Sequence, residues 1–108
     1  MHEVHALQSP LEVGITLTAM ASVRIRQGTA DQLNEAITWL GEALENLEPT
    51  LGSEKDEVGI VWRNKGDAFG KRGDVAKARE AYTRAVAIFT QTESPHLQVA
   101  EQALRDLG

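Results

Sequence analysis

The sequence predicts an all-α protein of five helices, on three observations. Apolar and small residues recur at helical steps of three and four, as Trp62, Gly66 and Phe69 do. No segment sustains the period-two alternation that is typical of a strand. Hydrophobic residues make up 42% of the 108 residues but aromatic residues only 5%, a balance typical of an alanine- and leucine-rich helical protein. We therefore expect one small domain of antiparallel helical hairpins.

The first two helices are bounded by strong capping signals. Residues 9–12, SPLE, combine a serine cap, a proline in the first turn and a glutamate three residues after the serine. The first helix is predicted to start there and to end at Gly28. Residues 29–32 repeat the capping-box pattern and start the second helix. We place Pro49 beyond the end of this helix, in a loop over residues 48–53.

Three further helices are predicted from similar signals. Ser53 is expected to cap the third helix, which ends near Arg72, before Gly73. Asp74 is expected to cap the fourth, which runs to about Thr90. Residues 94–95, Ser-Pro, resemble the start of the first helix and open a fifth. The fifth helix has one apolar stripe with which to cover the end of a stack, formed by Leu97, Ala100, Leu104 and Leu107.

Part of the chain is repeated. The segment EVGI at 12–15 recurs at 57–60, and the same shift of 45 residues carries Gly28 onto Gly73. The second helices align at a shift of 42, and a further shift of 42 makes residues 104–108 the opening of a truncated third repeat, an alternative to a simple cap. We divide the chain into a tail over 1–8 and a single domain over 9–108, with repeat one at 11–49, repeat two at 54–91 and a capping helix at 95–107.

The segment at 62–89 resembles one tetratricopeptide repeat, whose signature is W-x2-L-G-x2-Y, then A-x3-F, then A. Two positions depart from it, since Lys65 replaces an apolar residue and Thr90 a proline. The resemblance covers residues 11–108, is sharpest in the second repeat and implies an α-α superhelix, as in small bacterial-type two-repeat arrays with a C-terminal capping helix. The matching residues are Trp62, Gly66, Phe69, Ala78, Tyr82 and Ala85.

Bulk properties argue against several classes of function. A formal net charge of −5 and a pI near 5.1 disfavour nucleic acid and anionic membranes as the main partners. The absence of cysteine excludes disulfides and thiolate chemistry. No apolar run approaches the ~20 residues of a membrane span. The N-terminus lacks the basic start and apolar core of a secretory signal, so we expect a cytoplasmic location.

No residues are grouped in a pattern that indicates catalysis. His2 and His5 are spaced to share a helix face, but a third metal ligand is missing nearby. His96 lies near the start of the last helix without an accompanying nucleophile. We therefore predict no enzyme activity, no metal site and no cofactor.

In tetratricopeptide arrays the first helix of each repeat lines a concave groove that holds a peptide. At the corresponding positions of this chain, four basic residues and one acidic residue would give a groove that suits an acidic peptide or a terminal carboxylate. The alternative is that Arg63, Asp67 and Lys71, spaced four apart, neutralise one another along their helix. The groove residues that the resemblance implies are Thr18, Ser22, Arg26, Arg63, Asn64, Asp67, Lys71 and Arg105.

These patterns predict a scaffold or adaptor that binds a peptide segment of a partner protein in a concave groove. The carboxylate clamp of some family members is matched at Asn64 but not at the other clamp positions. Thr18 and Ser22 replace the lysine and asparagine of the first repeat, and Gln102 and Asp106 replace the basic residues of the third. The alternative function is an oligomerisation or ligand-sensing module derived from a larger regulatory protein. Trp39, on the flank of the second helix, would favour weak self-association if it lay in an exposed apolar patch.

Overall fold

The fold consists of α-helices joined by short turns. The computed structural model describes residues 9–108, so the tail predicted at 1–8 lies outside the described residues. Helix α1 packs on α2, and α3 on α4, as two antiparallel hairpins; α3 also contacts α1 and α2, and α5 packs on α4. The described residues contain no strand, and the predicted all-α fold of helical hairpins is confirmed. The five helices are α1 (Pro10–Gln27), α2 (Ala30–Leu51), α3 (Asp56–Arg72), α4 (Val75–Thr92) and α5 (Leu97–Asp106).

Both predicted capping boxes form, at the starts of α1 and α2. The Ser9 hydroxyl accepts a hydrogen bond from the Glu12 backbone N–H at 3.1 Å, and the Glu12 carboxylate accepts one from the Ser9 N–H at 3.0 Å. Thr29 and Gln32 form the same reciprocal pair, both at 3.2 Å. Gly28 has a φ of 79° and ends α1 in the left-handed conformation. These local signals therefore set the ends of the first helix.

The prediction that Pro49 lies beyond α2 is wrong, because α2 continues through it to Leu51. Pro49 lies in the last turn, where its missing N–H removes a hydrogen bond near the helix end instead of in its middle. Leu51 packs against the core, and the Gly52 N–H donates to the Glu48 carbonyl at 2.8 Å. Both contacts stabilise this turn and shorten the loop predicted over 48–53.

The side-chain caps predicted for α3 and α4 are absent. Because α2 is longer than expected, the chain reverses later, and Lys55 instead of Ser53 is the N-cap of α3. Asp74 is the N-cap of α4, but its carboxylate accepts hydrogen bonds from Arg72 and does not cap the helix. The hydrogen bond from Arg72 also holds the pKa of Asp74 below its usual value. The charged pair has thus replaced the capping interaction.

The last two helix boundaries also differ from prediction. Helix α4 extends past Thr90 to Thr92 and ends at Glu93, which has a φ of 54°. Helix α5 begins at Leu97 instead of at residues 94–95. Ser94 is buried, and its hydroxyl accepts a hydrogen bond from the His96 N–H at 3.0 Å. This serine therefore closes a local turn immediately before the helix, three residues before Leu97.

Glycine allows the two helices of each hairpin to approach closely at equivalent positions. A Cβ atom on Gly59 would lie 2.5 Å from Cε1 of Phe89, and one on Gly14 would lie 2.5 Å from Cγ of Leu47. Phe89 is fully buried and Leu47 is 1% exposed. The internal alignment pairs Gly14 with Gly59 and Leu47 with Phe89. The repeat in the sequence is therefore also a repeat in the packing.

Helix α5 covers part of the second hairpin. Its Ala100 is fully buried, and Leu97 packs against the core. Val99, on another side of the helix, is 53% exposed. The helix thus presents an apolar side to α4 and leaves one large apolar side chain in solvent.

Candidate partner-binding groove

A cleft of about 350 Å³ lies between α1 and α3, the first helices of the two hairpins. We call it the groove cleft. Its polar lining includes predicted residues from both helices, with Thr18 and Ser22 on α1 and Arg63 and Asn64 on α3. The complete lining is Ile15, Thr18, Ala19, Ser22, Leu47, Glu57, Ile60, Arg63 and Asn64.

A second cleft of about 390 Å³ lies further along the same two helices and reaches the end of α5. We call it the basic cleft. It contains three more of the predicted residues, Arg26, Asp67 and Lys71. Arg105 lines neither of these clefts, and its guanidinium donates to the Gln102 side chain at 2.9 Å. The complete lining of the basic cleft is Ile25, Arg26, Asp67, Gly70, Lys71, Tyr82 and Leu107.

Three polar side chains of the groove cleft already donate to the backbone. The Thr18 hydroxyl donates to the Gly14 carbonyl and the Ser22 hydroxyl to the Ala19 carbonyl, both at 2.8 Å. The Asn64 amide NH₂ donates to the Ile60 carbonyl at 3.1 Å. Their side-chain oxygens retain lone pairs, so these residues can offer acceptors to a bound peptide.

Arg63 and Lys71 form no ion pair with Asp67. Over residues 9–108, the ion pairs within 4.0 Å join Arg24 to Glu35 and Arg72 to Asp74. The Lys71 ammonium instead donates to the Ile25 carbonyl at 3.1 Å. The Nε atom of Arg63 is buried and has no hydrogen-bond partner in the described part of the chain. Direct neutralisation along the helix, the alternative interpretation of this spacing, is therefore not seen in the structure.

Asp67 has a structural contact that the sequence did not indicate. Its carboxylate accepts a hydrogen bond from the Tyr82 hydroxyl and so links α3 to α4. Tyr82 is only 6% exposed. Burial, together with this hydrogen bond, raises the pKa of Tyr82 well above its usual value. The phenol therefore stays protonated, and Asp67 is held in place by it.

The apolar side chains of the groove cleft were missed from the sequence. Ile15 and Ile60 line the cleft from opposite helices, and Ile15 is 48% exposed. Both are the last residue of the repeated segment EVGI. The recurrence of an isoleucine at the same position of both repeats was the sequence signal that could have pointed to this surface.

Trp39 does not lie in an exposed apolar patch. Its ring is partly buried and packs against the core. The Arg24 guanidinium carbon lies 5.5 Å from the centre of the ring, and Arg24 also pairs with Glu35 at 2.8 Å. The Arg24 guanidinium thus lies over this tryptophan, which gives no support to self-association through it.

Two structural features are absent from the described residues. No helix in residues 9–108 is both long and apolar enough to span a membrane. Over the same residues, no group of three or more histidine and acidic side chains is placed to hold a metal ion.

Comparison with known proteins identifies the family. No curated protein and no solved structure matches the chain. The family model of the tetratricopeptide repeat matches residues 12–91, most of the chain. The chain therefore belongs to the tetratricopeptide repeat family, whose repeats generally mediate protein–protein interaction.

Proposed function

We propose that this protein is a scaffold or adaptor that binds a peptide segment of a partner protein along the groove and basic clefts. The observation that carries the proposal is an apolar cleft between the first helices of the two repeats, next to an arginine whose Nε has no partner within the described residues. An apolar floor beside such a cation suits a peptide with an apolar side chain next to an acidic one.

The charges along the two clefts favour one orientation of the bound peptide. Glu57 lies in the groove cleft nearly two turns before Arg63 on α3. Arg26 and Lys71 lie in the basic cleft beyond Arg63. An acidic side chain or terminal carboxylate is therefore attracted to the basic end and repelled from the Glu57 end. The apolar side chain then lies against Ile15 and Ile60.

A displayed library of random peptides, sorted on the wild-type protein, tests this proposal and does not require the partner to be identified. We expect selected peptides to carry aspartate or glutamate close to a large apolar residue. Arg63→Glu combined with Lys71→Glu should weaken their binding at least about tenfold, because a charge-assisted hydrogen bond contributes about 1.5–3 kcal/mol. Calorimetric titration of purified peptides measures this change, and circular dichroism verifies that the variant is folded.

The matched control is Lys55→Glu combined with Arg79→Glu. It changes the net charge equally, but both residues are exposed and line neither the groove cleft nor the basic cleft. Binding by the control should stay within about twofold of wild type. Selected peptides without acidic residues, or equal loss of binding in both double variants, would contradict the proposal.

A second candidate function is weak self-association through the exposed apolar side chains of α1. Met20 and Val23, three residues apart on this helix, are 43% and 41% exposed. Sedimentation velocity at two protein concentrations tests it. A sedimentation coefficient that rises with concentration in the wild type, but not in Met20→Glu, would support self-association, whereas a monomer at both concentrations would exclude it.

A further inference from the structure

A third cleft, of about 330 Å³, lies between α3 and α4 on the opposite side of α3 from the groove. We call it the outer cleft. Trp62, Lys65 and Phe69 line it from α3, and Lys77, Glu80 and Arg84 from α4. The α3 residues follow one helical stripe, about half a turn away from the stripe of Arg63 and Asp67.

Cations in the outer cleft are arranged around aromatic rings. The Lys65 ammonium lies 4.7 Å, and the Arg84 guanidinium carbon 4.8 Å, from the centre of the Trp62 ring. The Lys77 ammonium lies 5.6 Å from the centre of the Phe69 ring. Contact with the ring faces restricts where these flexible side chains place their charges.

None of these three cations is in an ion pair within 4.0 Å in the described part of the chain, where the pairs are Arg24–Glu35 and Arg72–Asp74. Glu80 is the carboxylate in the lining of the outer cleft. Three cations against one carboxylate leave this lining positive, although the whole chain carries −5. A local excess of this kind favours a bound anion.

Lys65 is the unusual member of the set, because it occupies a position where the repeat signature has an apolar residue. Burial lowers the pKa of its ammonium, while the carboxylates of Glu80 and Glu48 act in the opposite direction. The Nε1–H of Trp62 is buried without a hydrogen-bond partner in the described residues. A partly desolvated cation and a tryptophan with an unsatisfied N–H thus line the same cleft.

We propose that the outer cleft binds a phosphate group, either free phosphate or a phosphate monoester. Three separate cations line this one cleft from two helices. A tetrahedral phosphate presents three oxygens in different directions, whereas a planar carboxylate presents two. The positive excess of the lining also matches the near-dianionic charge of phosphate at neutral pH. This site is independent of the proposed peptide groove, since it uses the other face of α3.

Trp62 provides a direct optical readout. In a Trp39→Phe background it is the sole tryptophan, because the chain has two. Its fluorescence is followed during titration with inorganic phosphate at constant ionic strength, then with O-phosphoserine and with acetate. We expect saturable changes with both phosphates and none with acetate. Tighter binding of O-phosphoserine assigns the site to a monoester, and equal or weaker binding assigns it to free phosphate.

Lys65→Leu in the same background is the decisive variant. Leucine is the residue of the repeat signature at this position, so the fold is retained while the central cation is lost. Phosphate affinity should fall at least about tenfold. Arg63→Glu with Lys71→Glu, which alters the groove and basic clefts, should bind phosphate as the parent does. Unchanged phosphate affinity in Lys65→Leu, a response that does not saturate, or an equal response to acetate would each overturn the proposal.

Discussion

Replacement of Gly66 by alanine tests the close approach of α3 to α4. A Cβ atom at Gly66 would lie 2.5 Å from Cε1, 2.6 Å from Cδ1 and 2.9 Å from Cγ of Tyr82. Contacts this short require one helix or the ring to move. The ring is restricted, because it is 6% exposed and its hydroxyl is hydrogen-bonded to Asp67. The substitution should therefore push α3 away from α4.

Two opposing effects set the magnitude. Alanine is preferred over glycine within a helix by about 1 kcal/mol, which stabilises the variant. Overpacking of a well-packed core costs about 1–3 kcal/mol, and the clash with three ring atoms on a second helix places Gly66→Ala at the upper end. The expected result is a net loss of about 2 kcal/mol in the free energy of unfolding. For a domain of this size, that loss lowers the Tm by about 8–16 °C.

Gly41→Ala is the matched control, because Gly41 also lies inside a helix but a Cβ atom there would meet nothing within 4 Å. It should raise the free energy of unfolding by about 0.5–1 kcal/mol through helix propensity alone. Urea titration and thermal melts followed by circular dichroism measure both variants. A Gly66→Ala variant as stable as wild type, or more stable, would refute the close packing of α3 on α4 as the reason for this glycine.

The first repeat suggests a compensating change. The internal alignment places Ala21 at the position of Gly66 and Leu40 at the position of Tyr82. Gly66→Ala combined with Tyr82→Leu therefore reproduces in the second hairpin the pair used in the first. The double variant should be less destabilised than the sum of its single variants, because removal of the ring also removes the clash. Additive losses would show that the clash is relieved elsewhere.

Two further predictions concern a helix cap and a partly buried charge. Ser9→Ala should lower the free energy of unfolding by about 1 kcal/mol in urea titrations, because it leaves the Glu12 N–H without its acceptor. The control is Thr16→Ala, at an exposed position of the same helix, and an equal loss of stability in it would contradict the prediction. Lys65→Leu should raise the free energy of unfolding at neutral pH, because folding partly desolvates the wild-type ammonium. The lowered pKa of Lys65 also makes wild-type stability rise with pH between its folded pKa and its unfolded value of 10.5, since the unfolded state then binds the extra proton. Urea titrations at several alkaline pH values should show that Lys65→Leu lacks this rise, and a rise that persists in the variant would assign it to another group.

The sequence predicted most of the fold because the decisive signals were local. Both complete capping boxes formed, and the glycine that follows α1 adopted the left-handed conformation. The failures occurred where a distant contact outweighed a local preference. Leu51 packs against the core and extends α2 past Pro49, and Arg72 binds the carboxylate of Asp74 that was expected to cap α4. Neither contact can be read from residue spacing alone.

The sequence predicted part of the candidate site, because the spacing of residues along a helix is also a local signal. Helical spacing placed Arg63 and Lys71 on one stripe, and the structure brings both to clefts along α3. Spacing did not predict that the Tyr82 hydroxyl on α4 would hold Asp67. It also did not show that Lys65 and Arg84 would stack on the Trp62 ring, since this depends on how two helices pack.

The packing of α3 on α4 decides how far the two proposed sites depend on each other. The groove cleft lies between α1 and α3, whereas the outer cleft lies between α3 and α4. Gly66 lies at the contact between α3 and α4, so a methyl group there separates the walls of the outer cleft directly. The walls of the groove cleft lie on the other side of α3 and move only if the whole helix shifts. If α3 tilts locally, Gly66→Ala weakens phosphate binding and spares peptide binding. If α3 moves as a rigid body, the phosphate affinity and the peptide affinity fall together. The ratio of these two losses of affinity therefore measures how far the two clefts respond separately to the substitution.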